Sequence, residues 1–466
     1  MSLPVRRPPK KITYFEIAVF IVIGSVAFLL NRSGFRFDLR LRAVGTPANI
    51  VVSATTGLSP FPGTFYHAFA QDGEEKTDMV APVFRLVRTL KPVFIRIDHI
   101  FDNYGVVQKE NGTLTFDFTR LDSAVDTIRA LGATPVLVLS YMPPAIARDG
   151  VITNPPNDWS DWTAVVRATI QHYSGISAKN LKDVYYEVWN EPDLAQFGGW
   201  KTYGSKNYLT LYGNAALGAN SARNVNRFYV GGPATAALYK DWITPLLTAG
   251  YRVDFLSWHT YNDDPKRFAL DQQNLTGWLT EYPSLQGIPR LITEFGFTGD
   301  KDTRYGTAYA AAYTAAVVRQ LLAAPPAGLF SFELKDGPGA AVNGWGMLPH
   351  ESAGGAPAPR YYLFPLLDDM NGTLLSVTGE GTWVTAIASL RDSVIRVLLI
   401  NFHPDGNHSE NVPVTFTGLT PGQYTLRHHQ LLGADATIQV TIPAPAWQTM
   451  IFMPPSAVTL LTLTRL

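Results

Sequence analysis

From about residue 49 to residue 346, short apolar, β-branched runs alternate with longer segments of helical period. The runs at 93–97, 135–139, 185–189, 228–231, 255–258, 290–293 and 329–332 read as strands. Between them, segments 121–131, 159–173, 208–222, 240–249 and 305–322 repeat apolar residues at helical spacing. Strands separated by helices pair in parallel, because each helix carries the chain back to its starting edge. Seven such strands predict an α/β fold, a (β/α)8 TIM barrel, whose first strand lies somewhere in 50–69, where turn residues blur the pattern. A doubly wound open sheet is the alternative; no Gly-x-Gly-x-x-Gly follows an early strand to support it.

The pattern changes at both ends. Residues 351–359, rich in Gly, Ala and Pro, read as a connection, and a last helix is expected near 361–370. Short strands then follow at 383–389, 394–401, 412–417, 424–427, 437–442 and 449–453, punctuated by turns such as Pro404-Asp405-Gly406 and Pro421-Gly422. Strands at this spacing without helices describe a β-sandwich. At the other end Arg6, Arg7, Lys10 and Lys11 precede an uncharged apolar run, 17–30. Extended back to residue 12 it takes in only Glu16 and approaches the roughly 17–25 residues that span a bilayer. The basic cluster places the N-terminus in the cytoplasm and the rest of the chain outside. Phe28-Leu29-Leu30-Asn31-Arg32 holds no small-x-small cleavage site, so we read an N-terminal membrane anchor helix, with a cleaved signal peptide as the competing reading. The expected division is a basic segment 1–11, a transmembrane anchor 12–30, a linker 31–48, the barrel 49–350, a linker 351–360 and the sandwich 361–466.

Composition narrows the chemistry. With 46% hydrophobic and 16% charged residues the chain has ample core. Its formal net charge is zero, which gives no electrostatic case for nucleic acid as a partner. The absence of cysteine excludes disulfides, thiolate metal sites and a cysteine nucleophile. No Gly-x-Ser-x-Gly elbow, phosphate loop or His-Glu-x-x-His motif is present. The nine histidines are scattered, and the neighbours His428 and His429 point to opposite faces of a strand, so no metal and no cofactor is expected.

Two glutamates stand out. Asn190-Glu191-Pro192 closes the apolar run 183–189, and Glu294 sits in Leu291-Ile292-Thr293-Glu294-Phe295-Gly296. In a parallel barrel the C-terminal strand ends line the active site. The spacing puts Glu191 after the fourth strand and Glu294 in the seventh. Glycoside hydrolysis needs such a pair, one carboxyl protonated and one ionised, ~5–5.5 Å apart for retention of configuration or ~6.5–9.5 Å for inversion. Taken alone, each residue also suits a structural role, Asn-Glu-Pro as a helix start and Glu294 as a strand-end ion pair.

Several blocks, in order, resemble glycoside hydrolase clan A, and family 39 in particular, which holds β-xylosidases, α-L-iduronidases and exopolysaccharide endoglycosidases. They are Phe94-Ile95-Arg96-Ile97-Asp98 with Phe101-Asp102-Asn103-Tyr104, Thr115-Phe116-Asp117-Phe118, 135–140 with Met142-Pro143-Pro144, Tyr186-Glu187-Val188-Trp189-Asn190-Glu191-Pro192-Asp193, Ser257-Trp258-His259-Thr260-Tyr261, and Leu291 to Gly296. The resemblance implies Glu191 as general acid/base and Glu294 as nucleophile. It implies that Asn190 bonds the sugar 2-hydroxyl, that Arg96 and Tyr261 support the nucleophile, and that His259 orients the acid/base or binds a hydroxyl. The chain departs from the family pattern where Asp98-His99 replaces His-Gly, and where Phe332 replaces a tryptophan platform on the eighth strand. Asp98 and Phe332 thus become the residues expected to set the sugar.

The reading is a retaining glycoside hydrolase, anchored in the membrane, with a carbohydrate substrate outside the cytoplasm. Anchoring favours endo-action on an exopolysaccharide. An exo-acting β-xylosidase-like enzyme, a transglycosylase and a non-catalytic carbohydrate-binding protein are the alternatives. Oligomeric state is not legible.

Overall fold

A computed structural model describes residues 45–339 and 344–466. The basic segment, the expected anchor at 12–30 and residues 31–44 of the linker lie outside the described residues. Among the described residues no helix is long and apolar enough to cross a membrane. Residues Thr46–Leu466 form one compact unit.

Eight parallel strands close into a barrel in the chain order Ala68–Gln71, Phe94–Ile97, Thr134–Leu139, Val184–Val188, Phe228–Thr235, Phe255–Tyr261, Arg290–Gly296 and Gly328–Ser331. The seven strands expected from the apolar runs are all present, and Ala68–Gln71 supplies the first. These strands read as near-continuous apolar runs because both faces are covered, one by the barrel interior and one by helices. Helices Thr119–Ala130, Trp159–Tyr173, Tyr208–Ser221, Lys240–Thr248 and Ala308–Leu321 fall where the helical period put them. Trp159–Tyr173 shows the mechanism. Asp158 caps its start by accepting from the Ser160 amide (2.8 Å), and Trp162, Val165, Val166, Thr169, Ile170 and Tyr173 form one buried stripe. Two further helices, Phe84–Thr89 and Lys266–Trp278, were not legible, the first for its brevity and the second for its polar composition.

The C-terminal domain is β-rich as expected, but its sheet is a single one of nine strands rather than two separate sheets. Ile50–Pro60, which the sequence reading assigned to the barrel, belongs here. It pairs antiparallel with Thr373–Thr378 and parallel with Glu410–Thr417. Register shifts between Val52 and Gly57, and again between Gly57 and Pro60, bend the pairing. The sheet therefore folds over, and Val397, Leu399, Leu461 and Leu463 share one core with Val414, Phe416 and Met453 from strands far along the sheet order. The alternate residues Leu398, Ile400 and Leu460 pack into the barrel's own cluster. Helix Ala308–Leu321 touches both and is apolar almost all round, with Tyr309 to Val318 buried without a break. The last helix, Leu363–Asp369, also packs into the barrel cluster.

Candidate active site

Period-two alternation carries selected side chains of each strand into the barrel. On the second strand Phe94 and Arg96 point inward, and on the fourth Tyr185 and Glu187 do the same. A bulge re-aims the seventh strand. Leu291 faces the interior while Ile292 and Phe295 pack outward, and the register slips between Ile292 and Glu294. Strict alternation from Leu291 would turn Glu294 away; the bulge turns it in. After the fourth strand the backbone reaches φ of +73° at Trp189 and +40° at Glu191. Side chains other than glycine rarely adopt these angles, and such strain gathers where function demands a particular aim.

Arg96, 1% exposed, organises the floor of the site. Its Nε donates to Glu187 Oε2 (2.6 Å), Nη1 to Glu294 Oε1 (2.7 Å) and Nη2 to Asn190 Oδ1 (2.7 Å). Burial disfavours the guanidinium charge, but Glu187, Glu294 and Asp98 outweigh it and push the pKa up. A planar fork satisfied on three sides fixes its partners as well as itself. Asn190 is held at its other end by Tyr141, its Nδ2 donating to Tyr141 Oη (3.0 Å).

The two glutamates sit in unlike surroundings. Glu294 accepts from Arg96 and from Tyr261 Oη (2.6 Å), and His259 Nδ1 lies 3.5 Å from its Oε2. Burial raises its pKa; His259, Arg96 and the Tyr261 hydrogen bond oppose the rise, while the charge of Glu191 adds to it. Tyr261 is itself pushed well up, chiefly by burial, so it keeps its proton and donates. Among the described residues Glu191 has one side-chain partner, His259 Nδ1 at 2.9 Å. Burial first, then the carboxylates of Asp193 and Asp72, push it up to about 8 against the pull of Arg96. His259 is completely buried, and burial lowers its pKa, so its contact with Glu191 is a hydrogen bond to a neutral ring rather than an ion pair. One oxygen of each glutamate and one His259 nitrogen lie within 4.8 Å of one another.

These groups open onto a cleft of about 350 Å³ lined by Glu191, Glu294, Asn190, Tyr261, Asp72, Asp300, Phe197, Phe332 and Trp345, among others. Phe332 stands edge-on to Tyr261 (6.3 Å between ring centres) and to Trp345 (5.6 Å). The buried Arg360 holds the backbone at both rings, donating to the Phe332 carbonyl (3.0 Å) and the Trp345 carbonyl (2.6 Å). The structure thus brings together Glu191, Glu294, Asn190, Arg96, His259, Tyr261 and Phe332. Asp98 is placed otherwise. It lies behind the cleft wall, 3% exposed, with Asp72 on the wall in front of it. Burial, and then the charge of Asp72, push its pKa well up.

Four residues escaped the sequence reading. Glu187 was visible only as a charge inside an apolar run. Asp72 follows the unread first strand, Tyr141 follows the third, and Trp345 reaches the cleft from a loop without periodicity.

A closed parallel barrel with an acid of raised pKa facing a second, clamped carboxyl defines a glycoside hydrolase. The chain belongs to glycosyl hydrolases family 39, whose sequence model matches residues 83–393. A β-xylosidase of Caldicellulosiruptor saccharolyticus is 26% identical over 353 residues, 67% of this chain and 69% of that protein. A β-xylosidase of Geobacillus stearothermophilus is 27% identical over 303 residues, 57% of this chain and 58% of that one. In fold, the chain matches the family 39 enzyme of Xanthomonas axonopodis pv. citri with a TM-score of 0.73 at 19% identity, covering 92% of this chain and 99% of the other. A monomeric β-xylosidase from Caulobacter crescentus CB15 matches with a TM-score of 0.73 at 20% identity, covering 90% of this chain and 100% of the other.

Proposed function

We propose that the enzyme is a retaining glycosidase acting on an uncharged, β-xyloside-like glycone, with Glu191 as acid/base and Glu294 as nucleophile. The observation that carries this reading is the unequal treatment of two carboxyls whose oxygens lie within 4.8 Å. So close an approach of one oxygen from each carboxyl fits the ~5–5.5 Å spacing of retaining enzymes better than the ~6.5–9.5 Å of inverting ones. Glu191, pushed up to about 8, holds a proton at neutral pH for the leaving oxygen. Glu294, with Arg96 on one oxygen and Tyr261 on the other, is the better supported anion. It attacks the anomeric carbon as the glycosidic bond breaks and Glu191 loses its proton. Water then attacks the glycosyl-enzyme, Glu191 takes a proton from it, and Glu294 is released.

The glycone follows from charge. Among the described residues the cleft lining carries the carboxylates Asp72, Asp300 and Glu294 beside the protonated Glu191, while Arg96 is already paired with Glu187 and Glu294 and Lys301 stands over the Trp345 ring (4.9 Å). A uronate carboxylate would meet repulsion there, whereas a neutral pentose or hexose would not. The names of the matched relatives support a xyloside among neutral sugars.

A second reading, endo-action on a polysaccharide at the outer face of a membrane, is supported by the basic cluster and uncharged run of residues 6–30. Aryl β-xylosides and extracellular polysaccharides offered to wild type, Glu191→Gln and Glu294→Gln decide between these. Retention shows as a β-configured first product from a β-substrate. Monosaccharide as the sole product removes the endo reading, an α-configured first product removes the double displacement, and equal activity in all three proteins removes the catalytic assignment.

A further inference from the structure

The ends of the first two barrel strands bring Asp72, Asp98 and His99 together, none of which touches the reacting bond in the hydrolytic scheme. One oxygen of each carboxylate and one ring nitrogen of His99 lie within 4.8 Å of one another. His99 Nδ1 is 2.7 Å from Asp102 Oδ2, which leaves Nε2 toward Asp98, 3.9 Å from its Oδ2. A carboxylate behind an imidazole is how metal-binding histidines are oriented. Asp98 is 3% exposed, and its Oδ1 has no hydrogen-bond partner. Such an unsatisfied buried oxygen is costly unless something binds it. Asp72 Oδ1 accepts from the Gly73 amide (2.7 Å).

We propose that Asp72, Asp98 and His99 form a site for one divalent transition-metal ion, Zn²⁺ or Mn²⁺, at the wall of the catalytic cleft. Imidazole with carboxylates suits these ions, whereas Ca²⁺ and Mg²⁺ prefer oxygen donors alone. With bonds of about 2.0–2.2 Å, the three groups close by roughly an ångström on binding. Two other acid–histidine clusters among the described residues carry no such opening. Glu75, His350 and Glu351 surround Lys335, whose Nζ lies 2.6 Å from Glu351 and 3.5 Å from Glu75 and already pairs with both. Glu191, His259 and Glu294 are the catalytic group.

A proton shared by His99 and the aspartates is the competing way to neutralise the cluster, and a titration separates the two. Untagged full-length protein is titrated with Zn²⁺, Mn²⁺ and Ca²⁺ by calorimetry and thermal unfolding. Wild type is compared with Asp98→Asn, His99→Gln and Asp102→Asn, with folding checked by circular dichroism. One equivalent of Zn²⁺ or Mn²⁺ is expected to bind and raise Tm. Affinity should be lost in Asp98→Asn and His99→Gln, and should fall by about 10–100-fold in Asp102→Asn, which only orients the ring. Lack of saturable binding overturns the site, as does binding that survives both ligand variants. Tighter binding of Ca²⁺ than of Mn²⁺ removes His99 as a ligand.

Discussion

The two halves of the barrel interior are built from the same strands and are opposite in character. Toward the N-terminal ends, Phe94, Tyr185, Phe255, Leu291 and Phe330 form a dry layer. Its ring centres lie 5.5 Å apart for Phe94 and Tyr185, 5.8 Å for Phe94 and Phe330, and 5.1 Å for Tyr185 and Phe255. Two to four residues further along the same strands stand Arg96, Glu187, His259 and Glu294, equally buried but ionic and hydrogen-bonded. Burial stabilises the first layer directly, through apolar area and ring contacts. In the second layer the same burial is a cost that only mutual pairing offsets, and it is what displaces the pKa values. The aromatic layer is therefore a floor that lets a strained, charged layer exist above it.

The contrast can be broken at several points. The largest effect is expected in the upper layer from Glu294→Gln. Loss of a covalent nucleophile should lower kcat on the order of 10⁵-fold, read from initial rates, with little change in melting temperature. Glu191→Gln should cost roughly 10²–10⁴-fold, and less with an aryl leaving group that departs without a proton.

That variant also sharpens the pH argument. In wild type, kcat/KM should fall as pH rises through about 8, where Glu191 loses its proton, and should fall on the acid side as Glu294 gains one. The alkaline limb should vanish in Glu191→Gln. The same shift bears on stability. A carboxyl whose folded pKa is raised adds stability that is complete below its unfolded value, near 4.5, and is lost as pH rises through about 8. Denaturant midpoints of wild type should decline across that window more steeply than those of the variant.

Phe330→Ala tests the floor. Its completely buried ring should cost about 3–5 kcal/mol of stability, while the rate of the folded fraction stays within a few-fold. A collapse of kcat without loss of stability would erase the division between the layers. The smallest effect is expected from Trp345→Ala at the cleft rim. Loss of a stacking ring should raise KM by roughly 2–10-fold with kcat nearly unchanged, because the ring binds substrate and transition state alike.

Legibility in the sequence followed local signal. The helix Trp159–Tyr173 and the strand Val184–Val188 were readable because apolar period and flanking turns agree over their whole length. Ile50–Pro60 was assigned to the wrong domain because strand propensity does not name a pairing partner; Thr378 and Val414, its neighbours, lie more than 300 residues away. Trp345 illustrates a different blindness. The eighth strand leads to Phe332 in place of the family's tryptophan platform, and the indole at the cleft comes from Trp345, whose carbonyl accepts from Arg360.

The sequence by itself determined the alternating architecture and the membership in family 39, and it singled out the two glutamates as candidates. These depend on the order and spacing of residues, which period and motif preserve. Only the tertiary structure decided what those glutamates meet. The bulge between Ile292 and Glu294 turns one carboxyl inward, the positive φ at Trp189 and Glu191 aims the other, and Arg96 joins Glu187, Asn190 and Glu294 across gaps of 91 to 198 residues. The physical reason is that charge in a low-dielectric interior responds to distances of a few ångströms, and such distances between remote residues are set by barrel closure and register rather than by any local pattern.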